Sequence, residues 1–468
     1  MKKSPHVGSA DLENKDGIVA LSTSEDSAGV DVTHEETPPP EPVELDISDP
    51  HFMAEAYDTY ADLRAKGPVS RVHFAGLEEA SADAAEQPGE FFGRETFFVT
   101  HYDEVISTLL DERFSVDPRS TMSPEQLKQQ QSQTPEEFRV LSRSLLSIDP
   151  PDHKRLRKLV QPSFTGRGMH ALRGSIQQIA DDLLDAAERD AAERGETAPE
   201  RRMDLIEAFA YPFPDKVIGD MLGIPKKDRE TIRGWTENLL RVDRGRVDEE
   251  VRSGLRAFIS YLRDLFEAKR HAPADDMISR LLHAEEDGDV LDEDEILATV
   301  FLMFLAGHVT TVNLIGNGVV ALLTHPEQLA KLKANPELAG GVVEETLRYW
   351  GPVDFIGRRI AKEDIEVGGT VIPKGEQATT SLASANRDPE RFANPDVFDI
   401  TRPDANRHVA FGKGIHVCLG APLARVEGNV AFTTLFRRFP ELRLAIPAEE
   451  VRWGSSFLRG FARLPILF

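Results

Sequence analysis

Residues 408–425, HVAFGKGIHVCLGAPLAR, are the stretch of sequence that decides the fold. This stretch holds Cys418, the one cysteine of the chain, in a glycine-rich loop that leads directly into a helical pattern. Gly412 and Gly414 permit backbone turns that a side chain would obstruct, and Pro422 suits a first helical turn because its missing N–H is not needed there. A thiol just before a helix N-terminus meets free N–H groups and a partial positive charge, which favours the thiolate. The loop therefore predicts a nucleophile or a soft metal ligand, and its surroundings favour the ligand.

A lone cysteine is usually a small buried hydrophobe, but the motif around this one favours a different interpretation. The order of residues resembles the haem-binding loop of the cytochrome P450 superfamily, the haem-thiolate monooxygenases. The matching positions, which precede a Leu-Ala-Arg segment, are Phe411, Gly412, Gly414, His416, Cys418 and Gly420. The resemblance implies that Cys418 is the axial ligand of the iron in haem b, with its sulfur held by backbone amides towards Gly420. It also implies that His416 reaches a haem propionate and that Phe411 packs under the ring. Thiolate donation favours O–O cleavage, which suits oxygen activation.

The composition is typical of a globular protein with a large core. The chain has 468 residues, of which 40% are hydrophobic and 29% charged. Its formal net charge of −25 argues against nucleic acid and against an anionic membrane surface. One cysteine permits no intramolecular disulfide, so we expect a cytoplasmic setting. No apolar run follows the first residues, so no signal peptide is predicted. We expect a monomer without nucleic-acid or membrane partners.

Two segments of the chain differ in character. Residues 1–44 contain three basic and ten acidic residues and lack apolar periodicity, which predicts a disordered acidic tail. The matches to the superfamily cover residues 45–468, so we expect one large haem-binding domain there rather than several. The resemblance implies the cytochrome P450 fold, which is mainly α with small β-sheets.

An apolar segment lies in the middle of the domain. Residues 296–324 contain no Asp, Glu, Lys or Arg. Their length would suit a transmembrane helix, but a buried core helix is the interpretation that we prefer. At the centre of the segment, Ala306 and Gly307 are small enough for a cofactor face to approach the backbone. A threonine hydroxyl here can bond a carbonyl one turn back and loosen the helix.

This centre resembles the oxygen-binding kink of the superfamily, in which an acid precedes a threonine. Thr310 takes the threonine position, but the acid position is Val309, and valine cannot relay a proton. Two interpretations follow. Protons reach the site through water held by Thr310 and Thr311, which are then the catalytic residues, or through a polar group of the substrate. Alternatively, the protein is a poor oxygenase or carries out a less common reaction. Because the threonines remain, we favour the first interpretation.

A basic helical stretch follows residue 152. His153 and Arg157 are four residues apart and share one helix face. Periodicity alone would make this a solvated basic face. The resemblance instead implies that both side chains bind a haem propionate, and that Arg359 binds one as well.

The substrate site is less well defined by the sequence. Residues 115–140 are polar, without a clear apolar face, and predict a mobile lid over a site. Asp354 is expected either to hydrogen-bond a substrate hydroxyl or amine, or to face outward. The residues that the resemblance places at the substrate are Met303, Val353, Asp354, Phe355, Ile356 and Phe457.

Taken together, the resemblance implies hydroxylation or epoxidation of a sizeable, partly apolar natural product such as a polyketide or macrolide. The chain carries no flavin or iron–sulfur cysteine pattern, so electrons are expected from NAD(P)H through a separate ferredoxin and ferredoxin reductase. The residues predicted to dock the ferredoxin are Lys154, Arg155, Lys158 and Lys413. Two alternatives stay open: a haem-bearing accessory protein that recruits a partner enzyme, and a peroxide-driven oxygenase that needs no redox partner.

Overall fold

The computed structural model describes residues 41–47, 49, 51–75, 95–240, 249–286, 288–454 and 458–468. The predicted acidic tail, residues 1–44, lies outside the described residues as far as residue 40. The first strand, Val43–Asp46, begins two residues before the predicted start of the domain.

The described strands form four small sheets. In chain order they are β1 (Val43–Asp46), β2 (Val69–Ala75), β3 (Glu95–Val99), β4 (Phe114–Ser115), β5 (Arg202–Asp204), β6 (Glu285–Glu286), β7 (Asp289–Val290), β8 (Phe355–Ala361), β9 (Ile365–Val367), β10 (Thr370–Ile372), β11 (Gln377–Ser381), β12 (Arg443–Leu444) and β13 (Pro465–Leu467). The largest sheet has six strands in the order β1-β2-β3-β11-β8-β4. Strands β12, β13 and β5 form a three-stranded sheet, and β9–β10 and β6–β7 are two-stranded.

Helices make up most of the described chain. In chain order they are α1 (Phe52–Lys66), α2 (Tyr102–Leu110), α3 (Pro124–Gln133), α4 (Glu136–Leu141), α5 (Asp152–Val160), α6 (Gly166–Ala171), α7 (Arg173–Glu193), α8 (Pro212–Leu222), α9 (Arg229–Leu240), α10 (Glu249–His271), α11 (Met277–Leu282), α12 (Glu293–Thr324), α13 (Pro326–Ala334), α14 (Ala339–Tyr349), α15 (Leu382–Ala385) and α16 (Ala421–Arg438). The expected mainly α fold with small sheets is confirmed.

Helix α12 is the central helix of the core. It begins at a capping box in which the Asp292 side chain accepts from the Glu295 amide and the Glu295 side chain accepts from the Asp292 amide. The helix has 32 residues and contains an apolar stretch long enough to cross a membrane, yet 67% of that stretch is buried inside the protein. The interpretation as a buried core helix is therefore confirmed.

The segment predicted to be a mobile lid, residues 115–140, contains two helices. Ser123 and Gln126 form a capping box that starts helix α3, and helix α4 follows it. Glu137 of α4 is buried and forms ion pairs with Arg252 and Arg256 of α10. Local capping and ion pairs therefore order a segment that has no apolar face of its own.

A buried ion pair fixes helix α14 against the segment that leads to the cysteine loop. Arg348 donates to both carboxylate oxygens of Glu345, at 2.8 and 2.7 Å, and both side chains are fully buried. The remaining Arg348 donors bond backbone carbonyls of residues 386, 395 and 397. Because every charge is satisfied, the pair holds this segment in one arrangement.

Candidate functional site

The cysteine loop has the form that the sequence predicts. Gly412 and Gly414 adopt φ values of +70° and +76°, which only glycine takes readily. A Cβ on Gly414 would lie 2.8 Å from the Leu109 carbonyl oxygen, so the loop lies closely against the end of α2. The Cys418 amide donates to the Phe411 carbonyl at 2.9 Å. The loop therefore delivers Cys418 to the N-terminus of α16 in a defined position.

The thiol of Cys418 is held by two backbone amides, those of Gly420 and Ala421. Burial raises its pKa, while these amides and the positive charges of Arg157 and Arg425 lower it, and burial outweighs them. The two amides and the two positive charges act in the direction that the sequence predicts, because each favours the thiolate. A coordinated metal ion deprotonates such a thiol outright.

Four residues predicted to bind propionates come together beside this loop: His153, Arg157, Arg359 and His416. The rings of His153 and His416 lie 4.3 Å apart, and His416 Nδ1 lies 3.2 Å from the Leu145 carbonyl. Both ring nitrogens of His153 and Nε2 of His416 are buried without a partner among the described residues. Burial, together with the charges of its neighbours in this group, lowers the pKa of His416 to about 3.

Arg359 is a buried cation in this cluster. Its side chain is buried, and burial lowers its pKa to about 10. The acid that acts on it, Asp149, already accepts from the Ser115 hydroxyl and the Val116 amide. Buried cations and donors without a carboxylate of their own suit an anionic ligand. The soft ligand Cys418 and these donors thus fit an iron porphyrin with propionate side chains.

One face of helix α12 is partly exposed, although most of the helix is buried. Ala306 is exposed on this face, and the half-buried positions are Leu302, Leu305, Gly307, Val309 and Thr310. The Thr310 hydroxyl donates to the Ala306 carbonyl at 2.7 Å, the bond expected from the sequence. This face is apolar except for one hydroxyl. The sequence analysis missed Leu302 and Leu305, which their spacing from Ala306 and Val309 would have indicated.

Helix packing occupies one of the predicted α12 residues and constrains another. Met303 is buried in the core, whereas its neighbour Leu302 is partly exposed, so the predicted substrate contact of Met303 is wrong. Gly307 is half-buried, and a Cβ at this position would collide with the end of the Ile218 side chain, so the glycine also serves the packing of α8 on α12. Apolar residues suit helix packing as well as a ligand site, which is why the sequence misplaced Met303.

Thr311 points towards helix α16 and hydrogen-bonds the carboxyl group of Glu427. Glu427 is buried, and burial raises its pKa well above the ordinary value, which favours the protonated carboxyl. Its Oε1 has no hydrogen-bond partner among the described residues. The sequence analysis missed Glu427, although a carboxylate between the buried Val426 and Gly428 was the available signal.

Asp354 does not face a substrate or solvent. It is fully buried and accepts from Arg459 Nε and Nη2, at 2.9 and 2.8 Å, and from the Tyr60 hydroxyl at 3.1 Å. Both earlier expectations for this residue are therefore wrong, because its oxygens are already occupied inside the core.

The other substrate candidates divide between two faces of β8. Phe355 stacks on Phe74 with ring centroids 5.1 Å apart, in the core beside α1, so its predicted substrate contact is wrong. The pairing of β8 with β11 shifts register after Ile356, which places Ile356 on the side of Arg359 and the cysteine loop. A Cβ on Gly412 would lie 3.4 Å from the Ile356 side chain. Val353 is half-buried, and Phe457 lies outside the described residues.

The chain is similar to known proteins along most of its length. The Cytochrome P450 family model matches residues 90–445. The chain is 42% identical over 371 residues to the polyketide biosynthesis cytochrome P450 PksS of Bacillus subtilis, covering 79% of this chain and 88% of the relative. It is 36% identical over 425 residues to the 6-deoxyerythronolide B hydroxylase of Saccharopolyspora erythraea, covering 90% and 98%.

Solved structures agree with these relatives. The PksS structure of Bacillus subtilis aligns with a TM-score of 0.78 at 37% identity and covers 89% of this chain and 98% of that one. P450BioI, solved in complex with an acyl carrier protein bearing hexadec-9Z-enoic acid, aligns with a TM-score of 0.75 at 36% identity, covering 89% and 99%. The chain therefore belongs to the cytochrome P450 family of monooxygenases, in which haem b is bound through a cysteine thiolate.

Proposed function

We propose that the protein inserts one oxygen atom into a C–H or C=C bond of a sizeable, partly apolar natural product such as a polyketide or macrolide. The observation that carries this proposal is the partly exposed face of α12, on which four apolar side chains share the face with the single hydroxyl of Thr310. Such a surface binds a substrate by apolar contact and orients it through few polar groups. The likeness to a polyketide biosynthesis enzyme and a deoxyerythronolide hydroxylase supports the substrate class. Haem, when bound, supplies the reductive activation of O2.

Binding residues for the haem follow from the cluster described above. Cys418 would supply a thiolate ligand to the iron, and His153, Arg157, Arg359 and His416 would hold the propionates. Ala306 is exposed on α12 and leaves space beside the backbone. Phe411 lies in the cysteine loop, where its carbonyl accepts the Cys418 amide, and its ring would contact the porphyrin. Gly412 and Gly420 contribute backbone conformation and amide donors rather than side chains.

Proton delivery is assigned to Thr310, Thr311 and Glu427, because Val309 cannot carry a proton. The Thr310 hydroxyl donates its hydrogen bond to the Ala306 carbonyl, so its oxygen lone pairs are left to accept a hydrogen bond from water. Thr311 hydrogen-bonds the carboxyl of Glu427, whose raised pKa favours the form that holds a proton inside the core. The two threonines are consecutive on α12, so a proton held at Glu427 lies behind the face that carries Thr310.

The test of this assignment is coupling, the share of electrons from NAD(P)H that ends in oxidised substrate. Thr310→Ala is expected to divert electrons to peroxide, whereas Thr310→Ser, which keeps the hydroxyl, is expected to stay coupled. Glu427→Gln is expected to slow turnover and to enlarge the solvent deuterium isotope effect. Full coupling in Thr310→Ala would remove Thr310 from proton handling.

The substrate class is tested by the shift of the haem spin state on binding. A panel of macrolactones, free fatty acids and the same acyl chains on an acyl carrier protein separates the classes. We expect the macrolactones to give the largest shift. A response only to the carrier-bound chains would replace the proposal with a carrier-tethered substrate, the form in the P450BioI complex. No response to any macrolactone or polyketide would contradict the proposed class.

Electron delivery is proposed to come from a ferredoxin and its reductase. Lys413 in the cysteine loop and Lys154 on α5 are exposed. Arg155, which was predicted to dock the partner, instead pairs with Glu295 and donates to the Val290 carbonyl. Apolar side chains lie on the same loop and on the helix end against it, since Ile415 is 43% and Leu110 is 53% exposed. The proposed contact is thus a lysine beside an apolar centre.

Charge reversal at Lys413 is the test of this contact. Lys413→Glu is expected to slow the first electron transfer from an acidic ferredoxin and to flatten its salt dependence, while Lys374→Glu, in the exposed turn after β10, serves as the matched control. Unchanged rates in Lys413→Glu would place the contact elsewhere. Turnover with peroxide alone, at the rate seen with ferredoxin and NAD(P)H, would favour the peroxide-driven alternative. We also propose that the enzyme is cytoplasmic and monomeric, and that an acidic tail, predicted as residues 1–44, precedes its one domain.

A further inference from the structure

A charged cluster lies against the cysteine loop and is not used by the proposals above. It consists of Glu344 on α14, Arg425 on α16 and His408 at the start of the loop. Arg425 donates to Glu344 through Nε and Nη2, at 2.6 and 3.0 Å, in a two-point contact. His408 Nε2 lies 3.3 Å from Glu344 Oε2. The cluster thus joins two helices and the loop through one carboxylate.

Glu344 carries a permanent negative charge in this arrangement. His408 Nδ1 accepts the Ala410 amide at 3.1 Å, so the ring proton lies on Nε2, the nitrogen that faces Glu344. The hydrogen bonds from Arg425 and the nearby His408 ring outweigh burial and hold the pKa of Glu344 at about 2. Its charge is therefore present throughout the range in which the protein is folded near neutrality.

Arg425 acts directly on the surroundings of the sulfur. Its guanidinium lies 4.7 Å from the centre of the Phe411 ring, and the Phe411 carbonyl accepts the Cys418 amide at 2.9 Å. A second cation beside this loop is Arg157 of the propionate cluster. Among the described residues, only Arg425 of these two has a carboxylate in contact, so Glu344 determines how much of the Arg425 charge reaches the sulfur.

We propose that Glu344 sets the reduction potential of the haem by offsetting the charge of Arg425 beside Cys418. Reduction adds one electron to the iron site, so any gain in positive charge near the sulfur stabilises the ferrous form. The neutral variant of Glu344 exposes the site to the full Arg425 charge, and the neutral variant of Arg425 leaves Glu344 uncompensated. The two substitutions therefore act in opposite directions. This inference rests on the thiolate-bound haem and is independent of the proposed substrate.

The experiment is a spectroelectrochemical titration of the substrate-free holoprotein. At the wild-type midpoint, Glu344→Gln is expected to raise the ferrous-to-ferric ratio about three- to tenfold, where tenfold corresponds to 59 mV for one electron. Arg425→Gln is expected to lower the ratio by a similar factor. The double variant is expected to return to within about twofold of wild type, because both charges are absent.

Two further variants distinguish electrostatics from loop anchoring. Arg425→Lys keeps the charge but loses the two-point contact, so it is expected to keep the wild-type potential. Glu200→Gln is the matched control, because Glu200 pairs with Arg443 at 2.6 Å and neither charge is among those acting on Cys418. The Soret band of the ferrous carbon monoxide complex reports in each variant whether the thiolate ligand is intact.

Several results would overturn the proposal. They are equal shifts of the same sign in Glu344→Gln and Arg425→Gln, no shift in either, or a control shift as large as theirs. Should Glu344→Gln fail to hold haem, the comparison of Arg425→Lys with Arg425→Gln decides, because equal potentials in these two variants contradict a role for the charge. The substrate can be misassigned without affecting any of these results.

Discussion

Asp354→Asn is the substitution that separates a structural from a substrate role most sharply. Asp354 is fully buried, and its partner Arg459 is 1% exposed, so the pair is shielded from solvent. Arg459 also donates to the Met53 carbonyl at 2.7 Å and lies 4.5 Å from the Tyr57 ring. Asparagine keeps the shape but leaves the guanidinium without a countercharge. Removing one partner of a buried ion pair costs about 3–5 kcal/mol.

The assay is equilibrium unfolding in guanidinium chloride, followed by far-UV circular dichroism. We expect the free energy of unfolding of Asp354→Asn to fall by about 3–5 kcal/mol. The exposed pair of Arg443 and Glu200 provides the control, and Glu200→Gln is expected to cost less than about 1 kcal/mol. Substrate affinity, measured by the spin-state shift, is expected to stay unchanged. Wild-type stability together with weakened substrate binding would refute the reasoning and restore Asp354 to the pocket.

Three further predictions concern buried charge. Burial raises the pKa of Glu427, so the folded protein holds a proton that the unfolded chain loses above about pH 4.5, and the free energy of unfolding falls as the pH rises. Glu427→Gln is expected to abolish that decline between pH 5 and 7, as measured by urea unfolding. The pKa of Glu344, about 2, lies below its ordinary value of 4.5, so its contribution of about 3 kcal/mol to the free energy of unfolding is present above pH 4.5 and is lost as the pH falls towards 2. Glu344→Gln is therefore expected to show a smaller acid-induced loss of unfolding free energy. Arg359→Leu is expected to stabilise the haem-free protein, by removing a buried cation, but to speed haem transfer to apomyoglobin about tenfold or more; an unchanged transfer rate would remove Arg359 from the propionate site.

The cysteine loop could be predicted from the sequence because its determinants are local. Glycines with positive φ, followed by a cysteine just before a helix N-terminus, define the same loop geometry wherever they occur. The hydrogen bond from Thr310 to Ala306 was predictable for the same reason, since both residues lie on one helix turn. The coming together of His153, Arg157, Arg359 and His416 rested on the family resemblance, because three distant segments contribute to it.

The errors arose where a distant partner decides the role of a residue. Asp354 meets Arg459, 105 positions away, and no local pattern reveals that pairing. Met303 is apolar and suits either a substrate pocket or the core, and the packing around α12 buries it in the core. Phe355 and Ile356 were assigned to one pocket, yet consecutive strand residues point to opposite faces, and the register shift in β8 places only Ile356 beside the cysteine loop.

The most direct test of the central claim is the carbon monoxide difference spectrum of the reduced holoprotein, recorded beside that of Cys418→Ser. The account predicts a strongly red-shifted Soret band in the wild type that is absent from the variant, because only a thiolate from Cys418 ligates the iron. A spectrum typical of nitrogen-ligated haem in the wild type, or a red-shifted band that persists in Cys418→Ser, would contradict it.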